Sequence, residues 1–319
     1  MGGAVIRHLV ASGLAPAALS RSESSDLALS AVGAEPVRGD VLDETSLRAA
    51  FDGAEVVFHI AGVNEMCSRD PDRMSRVNVD GSLAVIRAAE AVGVRRVVHT
   101  SSAATLGEER GTIGTERSVH RGSYLSAYER SKHLSELAVF AEASTVEVVS
   151  VNPSSVQGPG RASGTGKLIL DVVNGRLPVL VDSAVSIVDI DDCARGHLLA
   201  AESGRSGSRY LLNSFTTTVA EALERIEGIL DRPLRVRFVP GWMASVAGGV
   251  VEGLFRLAGR TPPVCREMVR TLRHGHRYDG SLAVRELGLE YTSEQRVLDR
   301  LLGWFWEEGL IADRRGSGP

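Results

Sequence analysis

Two short runs, Glu55-Val-Val-Phe-His-Ile60 leading into Ala61-Gly62, and Arg96-Val-Val-His-Thr-Ser101, decide the architecture. Each is a short run built on a Val-Val pair, too short for a core helix and rich in β-branched residues, as expected of a buried strand. Between them the spacing predicts one long helix over residues 72–92, with Val77, Ala84, Ile86 and Ala88 turned inward. Strand, helix and strand make a βαβ unit, whose two strands run parallel.

The alternation continues on both sides of this unit. Helices are predicted over 3–12 (Ala4, Val5, Leu9 and Val10 inward, Gly13 closing it), 45–51 and 127–143. Strands are predicted over 15–19, over 36–38 leading into Gly39-Asp40-Val41, and over 146–151 ending at Asn152-Pro153. This is an α/β pattern, a doubly wound parallel sheet of Rossmann type. Ligands of such sheets bind beyond the carboxyl ends of the strands. Those ends carry Ser20-Arg21, Asp40, Ala61-Gly62, Ser101-Ser102 and Pro153-Ser154-Ser155. Each alone is ordinary loop chemistry; together on one edge they suggest an extended nucleotide site.

Beyond residue 156 the pattern changes. Helices are expected over 166–174 and 191–202, strands over 185–188 and 209–212, then mostly helix with one strand over 234–239. The expected division is a dinucleotide-binding domain of residues 1–156, completed by 185–213, and a smaller, mostly helical substrate lobe of 157–184 and 214–319.

Composition sets the bounds. The 319 residues are 43% hydrophobic and 24% charged, which excludes disordered and fibrous classes. Thirty-six basic against 40 acidic residues leave −4, giving no electrostatic ground for a nucleic-acid or anionic-membrane partner. Three scattered cysteines, Cys67, Cys193 and Cys265, read as free thiols in a reducing cytosol. With no basic-then-apolar leader, a cytoplasmic location is expected. Residues 242–257 are apolar but short and carry Glu252, so they read as a buried core helix rather than a membrane span.

The strongest chemical signal is Ser126-Ala-Tyr128-Glu-Arg-Ser-Lys132. Ser126 and Glu129 have capping-box spacing, so a helix starts there and Tyr128 and Lys132 share one face. A phenol titrates near 10, and an adjacent ammonium with a helix N-terminus would lower it into use as a proton relay. Five tyrosines and two lysines predict roughly 0.03 such pairs by chance, weighed as a motif false-positive rate. Only two of the 36 basic residues are lysines, so a lysine here calls for a chemical reason. Thr100-Ser101-Ser102 ends a strand upstream and offers a hydroxyl to the same substrate oxygen.

Gly39-Asp40-Val41, His59-Ile60-Ala61-Gly62, Asn78-Val-Asp-Gly81, Val98-His-Thr-Ser-Ser102, Tyr128-x-x-x-Lys132, Val151-Asn-Pro-Ser-Ser155 and Ile187-Val-Asp-Ile-Asp-Asp192 run along nearly the whole chain. In these the sequence resembles the extended short-chain dehydrogenases/reductases of the NAD-dependent epimerase/dehydratase superfamily. Within it the chain is most similar to the dihydroflavonol-reductase-like and hopanoid-associated sugar-epimerase-like branch. The resemblance implies Tyr128 as acid/base, Lys132 on the nicotinamide ribose and Ser102 on the substrate carbonyl, with Thr100 beside them. It further implies Asp40 and Val41 at adenine, Ile60, Ala61 and Gly62 along the pyrophosphate path, and Asn78 structuring the active-site helix. Val151, Pro153, Ser154 and Ser155 would border the nicotinamide. Arg21, with no acid at the end of its strand, favours NADP(H), with NAD(H) as the alternative.

The family's Gly-x-x-Gly-x-x-Gly turn is represented here by Met1-Gly2-Gly3 alone, with Gly2 as its third glycine. The sheet is therefore expected to lack its first strand, leaving two strand edges unpaired. The leading expectation is NADP(H)-dependent interconversion of a carbonyl and a secondary alcohol. The alternatives are a nucleotide-sugar epimerase/dehydratase, or a dinucleotide-binding protein impaired in catalysis. Partners are then a small-molecule carbonyl, alcohol or nucleotide sugar, and a second copy in a homodimer. Gly164-Thr-Gly166-Lys167 lacks the other positions of a phosphate loop, and His274-Gly-His276 reads as a loop pair, so no metal is expected.

Overall fold

The computed structural model describes residues 1–311. The first part of the chain runs α1 (Gly2–Ala11), β1 (Ala17–Ser20), α2 (Glu23–Ala31), β2 (Glu35–Arg38), α3 (Glu44–Phe51), β3 (Val56–His59), α4 (Pro71–Ser75), α5 (Gly81–Ala91), β4 (Arg96–Thr100), α6 (Ala127–Glu142) and β5 (Glu147–Pro153). It continues through β6 (Ser155–Gln157), α7 (Thr165–Val173), β7 (Val179–Leu180), β8 (Ala184–Asp189), α8 (Ile190–Ser203), β9 (Arg209–Leu212), β10 (Phe215–Thr218) and α9 (Val219–Leu230). The last elements are β11 (Arg237–Phe238), α10 (Gly241–Leu257), α11 (Arg266–His274), α12 (Ser281–Leu287) and α13 (Glu294–Glu307).

Strands β3, β4, β5 and β9 form one parallel sheet in that order, and β1 and β2 form a separate parallel pair. As the sequence pattern implied, β1 and β3 each keep one unpaired edge among the described residues. The period-2 alternation of each strand feeds two cores. Val57, Val97 and Val148 pack on Leu47, Val85, Ile86 and Val139 from α3, α5 and α6. Val98, Val149 and Val151 face the other way, onto Cys193 and Ala200 of α8 and Ala283 and Leu287 of α12. A third cluster, Leu170, Leu223, Ile226, Leu298, Leu302 and Phe305, joins α7, α9 and α13. The short strands β6, β8 and β10 make a small mixed sheet in the order β10-β8-β6, with β10 antiparallel to β8.

The single helix expected over 72–92 is interrupted by a π-helical turn at Arg76–Asp80. The extra residue rotates the succeeding turns, so Asn78, Val85, Ile86, Ala88 and Ala89 are buried while Val77 and Ala84 lie only half-buried. A hydrophobic count at a fixed period cannot register such an insertion.

Two sequence readings are corrected here. Helix α10 is not a core helix: Trp242, Val246, Val250, Leu254 and Leu257 form an exposed stripe, and Gly248 is its one buried residue. The helix packs on α11 through its small-residue face, where a Cβ on Gly248 would lie 2.9 Å from Val269 Cγ2. No helix among the described residues is long and apolar enough to cross a membrane.

The cysteines are not three free thiols either. Cys67, in the loop after β3, and Cys265, at the start of α11, form a disulfide across 198 residues of chain, leaving Cys193 free and buried. Folding brings the two loops together, which spacing could not reveal, and the bridge removes the thiol argument for a reducing compartment. Under denaturing, non-reducing conditions one thiol per chain is expected to react with Ellman's reagent. Cys265→Ser is expected to lose about 2–4 kcal/mol of unfolding free energy in urea melts. Three reactive thiols would refute the bridge.

Candidate active site

The carboxyl ends of β3, β4 and β5 converge on the first turns of α6. Ser126 caps that helix, accepting a hydrogen bond from Glu129 N at 3.1 Å. Glu129 answers one residue earlier than a capping box would, accepting from Leu125 N at 2.7 Å, and is also paired with buried Arg121. The predicted start of the helix is therefore observed, with the reciprocal bond shifted. Tyr128 and Lys132 lie one turn apart, Tyr128 half-buried and Lys132 buried.

Lys132 Nζ donates to the Thr100 carbonyl at 2.6 Å, tying α6 to the end of β4. Burial pulls its pKa down to about 8, against the opposing pull of Glu136 one turn further on. Tyr128 moves the other way: burial raises its pKa, while a hydrogen bond from Ser102 and the Arg161 guanidinium draw it down. The groups favouring phenolate are thus Ser102 and Arg161, whereas the sequence pattern pointed to Lys132 for that effect. Arg161 sits in the loop after β6 and donates to Val156 O at 3.4 Å. In a chain this rich in arginine, nothing local marks it.

Asn78 locks the neighbouring loop. Its side chain donates to Val63 O at 2.9 Å and to Ser131 Oγ at 2.8 Å, and accepts from Val63 N at 2.7 Å. The π turn orients this amide between the β3 loop and α6. Gly62 is held against it: a Cβ there would lie 3.2 Å from Asn78 Oδ1 and 3.9 Å from Lys132 Nζ. Glu267 of α11 accepts from Ala127 N at 3.1 Å and from Cys67 N at 2.6 Å, joining the start of α6 to the disulfide loop. Sequence reasoning missed Glu267, whose partners lie 140 and 200 residues away.

Beneath the site lies a buried polar layer. His59 bonds Ser82 Oγ at 2.8 Å, and His197 bonds Thr100 Oγ1 at 2.9 Å. Burial drives His59 to about 3 and His197 to about 4, and pushes His99 well below its ordinary value; the Lys132 charge adds to the effect on His59 and His99. All three are neutral near pH 7, so this layer adds no charge beside Lys132. Glu136 accepts from Ser150 Oγ at 2.9 Å and pairs with Arg209 at 3.2 Å.

The remaining predicted residues lie where the strands end. Arg21 and Asp40 follow β1 and β2 and approach each other at 3.5 Å, with Arg21 exposed. Val41 rests against Gly81, and Ile60 packs with Ala4 and Val5 of α1, which Gly2 opens. Ala61 is exposed and Gly62 follows it at the strand end; Val151 and Pro153 are buried at the end of β5. Ser155 Oγ donates to Thr165 Oγ1 at 2.9 Å, so it turns toward α7. Ser101 Oγ and Ser154 Oγ are buried without a hydrogen-bond partner. These two unsatisfied hydroxyls and the bare backbone at Gly62 suit a dinucleotide lying across the strand ends.

A doubly wound sheet with these connections is the fold of the extended short-chain dehydrogenase/reductase enzymes. Residues 1–212 match the NAD dependent epimerase/dehydratase family, and the chain belongs to that family. It is 33% identical over 318 residues to sterol demethylase protein B of Methylococcus capsulatus, covering 98% of this chain and 97% of that one. It is 26% identical over 309 residues to a 2-alkyl-3-oxoalkanoate reductase of Shewanella oneidensis, covering 90% and 79%. Its fold matches the nucleoside-diphosphate-sugar epimerase PA4631 of Pseudomonas aeruginosa with a TM-score of 0.78, at 23% identity and 98% and 95% coverage.

Proposed function

We propose that this enzyme interconverts a carbonyl and a secondary alcohol on a hydrophobic small molecule, with NADP(H) preferred and NAD(H) as the alternative. One observation carries the reading: Tyr128 and Lys132 lie one turn apart at the start of α6, with Lys132 Nζ fixed to the Thr100 carbonyl at 2.6 Å two residues before Ser102. Bound dinucleotide would supply or accept the hydride at carbon. Tyr128 gives its proton to the substrate oxygen in reduction and takes it back in oxidation. Ser102 donates a hydrogen bond to that oxygen, and Lys132 holds the ribose. Residues 1–156 with 185–213 carry the cofactor, and 157–184 with 214–319 carry the substrate. Asp40 and Val41 hold adenine, Arg21 the 2′-phosphate, and Gly2 and Ile60–Gly62 the pyrophosphate. Val151 and Pro153–Ser155 border the nicotinamide, framed by Thr100 and Asn78. Two copies pair through α6, whose Leu137 is exposed; a monomer in sedimentation would refute the pairing.

The two relatives support a hydrophobic substrate, one named for a sterol and the other for a 3-oxoalkanoate. The test is NADPH oxidation with hydrophobic ketones, 2-alkyl-3-oxoalkanoates included. Net oxidation matched to alcohol formed is expected. Isomerisation of a nucleotide sugar without net oxidation would replace this reading with the epimerase one.

Cofactor choice has its own test. Arg21→Asp is expected to weaken NADPH binding tenfold or more, about the worth of a charge-assisted hydrogen bond, and to leave NADH binding within about twofold. Equal loss of both would remove Arg21 from phosphate recognition.

A further inference from the structure

Six residues after Ser102 the chain enters a second cluster that the proton relay does not use. The 3₁₀ turn Ala103–Leu106, capped by Ser102, leads through Gly107 to Glu108, which is 2% exposed. His274 ends α11, and Gly275, with φ +67°, turns the chain so that the rings of His274 and His276 come within 5.1 Å of each other. Glu108 Oε1 lies 2.6 Å from His276 Nδ1 and 3.6 Å from His274 Nε2. One donor atom from each of the three residues lies within 4.8 Å of the other two.

Two atoms of this cluster are unsatisfied. Glu108 Oε2 and His274 Nε2 are buried without a hydrogen-bond partner. A carboxylate oxygen and an imidazole nitrogen left bare together inside a protein are costly unless something binds them. Arg121 pairs with Glu129 and donates to the Glu108 backbone carbonyl at 3.2 Å, so no guanidinium is paired with the Glu108 carboxylate among the described residues. Tyr278 OH, 3.0 Å from His276 Nδ1, closes one side.

We propose that Glu108, His274 and His276 bind one divalent cation of the zinc class. Two imidazoles and one carboxylate are a standard zinc donor set, and bonds of about 2.0–2.1 Å place tetrahedral donors about 3.3 Å apart. The present spacings of 2.6 and 3.6 Å lie within about 1 Å of that. A fourth position remains for Tyr278 or water. The ion would act as a clamp. Helix α11 is already held at its start by the Cys67–Cys265 bridge and by Glu267 on Ala127 N. Metal at His274 and His276 would hold its other end to the segment carrying Ser102. The histidine pair looks solitary in the sequence because its third ligand lies 168 residues from His276.

The test is zinc titration of chelator-stripped protein by calorimetry, with cobalt absorption reporting geometry. One equivalent is expected to bind at micromolar affinity or tighter, with a tetrahedral cobalt spectrum and a raised melting temperature. Glu108→Gln, His274→Gln and His276→Gln should each weaken zinc by at least tenfold, while His8→Gln, in the separate pair with Asp191, should not. Should Glu108→Gln fail to fold, the variants at the two less buried histidines decide, with far-UV dichroism checking each. Absence of stoichiometric zinc in the native chain, or undiminished binding in both histidine variants, overturns the proposal.

Discussion

Tyr128→Phe is expected to lower kcat for ketone reduction by about 10²–10⁴, the range of a positioned general acid, while NADPH binding stays within about threefold. The substitution removes one oxygen and keeps the ring, so the packing of α6 is preserved. No acid is hydrogen-bonded to Ser102 Oγ among the described residues, so nothing there replaces the phenol. The direction of reaction sets the pH profile. Burial raises the Tyr128 pKa, against Ser102 and Arg161, so near neutrality the phenol carries its proton. Reduction needs that proton, so the phenol itself imposes little pH dependence on the acid side of its titration, and the fall above about pH 8 comes from Lys132. Oxidation needs phenolate and should speed up as pH rises. Steady-state kinetics in both directions, with fluorescence titration of NADPH, measure this. A Phe variant at native speed, or one that has lost NADPH binding in parallel, would take Tyr128 out of proton transfer.

The range of each interaction decides how much of it the sequence discloses. Tyr128 and Lys132 lie one helical turn apart, so their shared face is fixed by local geometry alone. The strand ends are legible for the same reason, since each apolar run stops where its loop begins. Features made by contacts across the fold are hidden. The Cys67–Cys265 bridge, Glu267 on Ala127 and Arg161 beside Tyr128 each depend on a remote segment. The π turn at Arg76–Asp80 carries no compositional mark, because it is Asn78's bonds to Val63 and Ser131 that exploit it. Helix α10 misleads because hydropathy counts apolar residues without knowing whether anything covers them.

Lys132→Met is expected to lower kcat/KM by about 10²–10³, equivalent to about 3–4 kcal/mol of transition-state stabilisation, and yet to stabilise the fold. Both effects come from one buried ammonium. Its pKa is depressed to about 8 by burial, whereas in the unfolded chain it sits near 10.5. Below pH 8 both states are protonated, and the native state bears the full cost of the buried charge. Between pH 8 and 10.5 the unfolded chain binds more protons than the native one, so native stability rises with pH across that window. Methionine has a similar shape and no charge, so the variant should be about 1–3 kcal/mol more stable than the native chain at about pH 7. That difference should shrink toward pH 10.5 as native Lys132 becomes neutral. Activity runs in the opposite sense: reduction kcat/KM in the native enzyme should fall above about pH 8 as the ammonium is lost. Lys132→Arg stays charged throughout, but its planar fork cannot repeat the single Nζ contact to Thr100 O, so it should recover only part of the rate. Urea melts near neutral and near pH 10, with a pH–rate profile, measure these together. A Met variant that is less stable at neutral pH and no slower than the native enzyme would mean that the ammonium serves the fold and not the reaction.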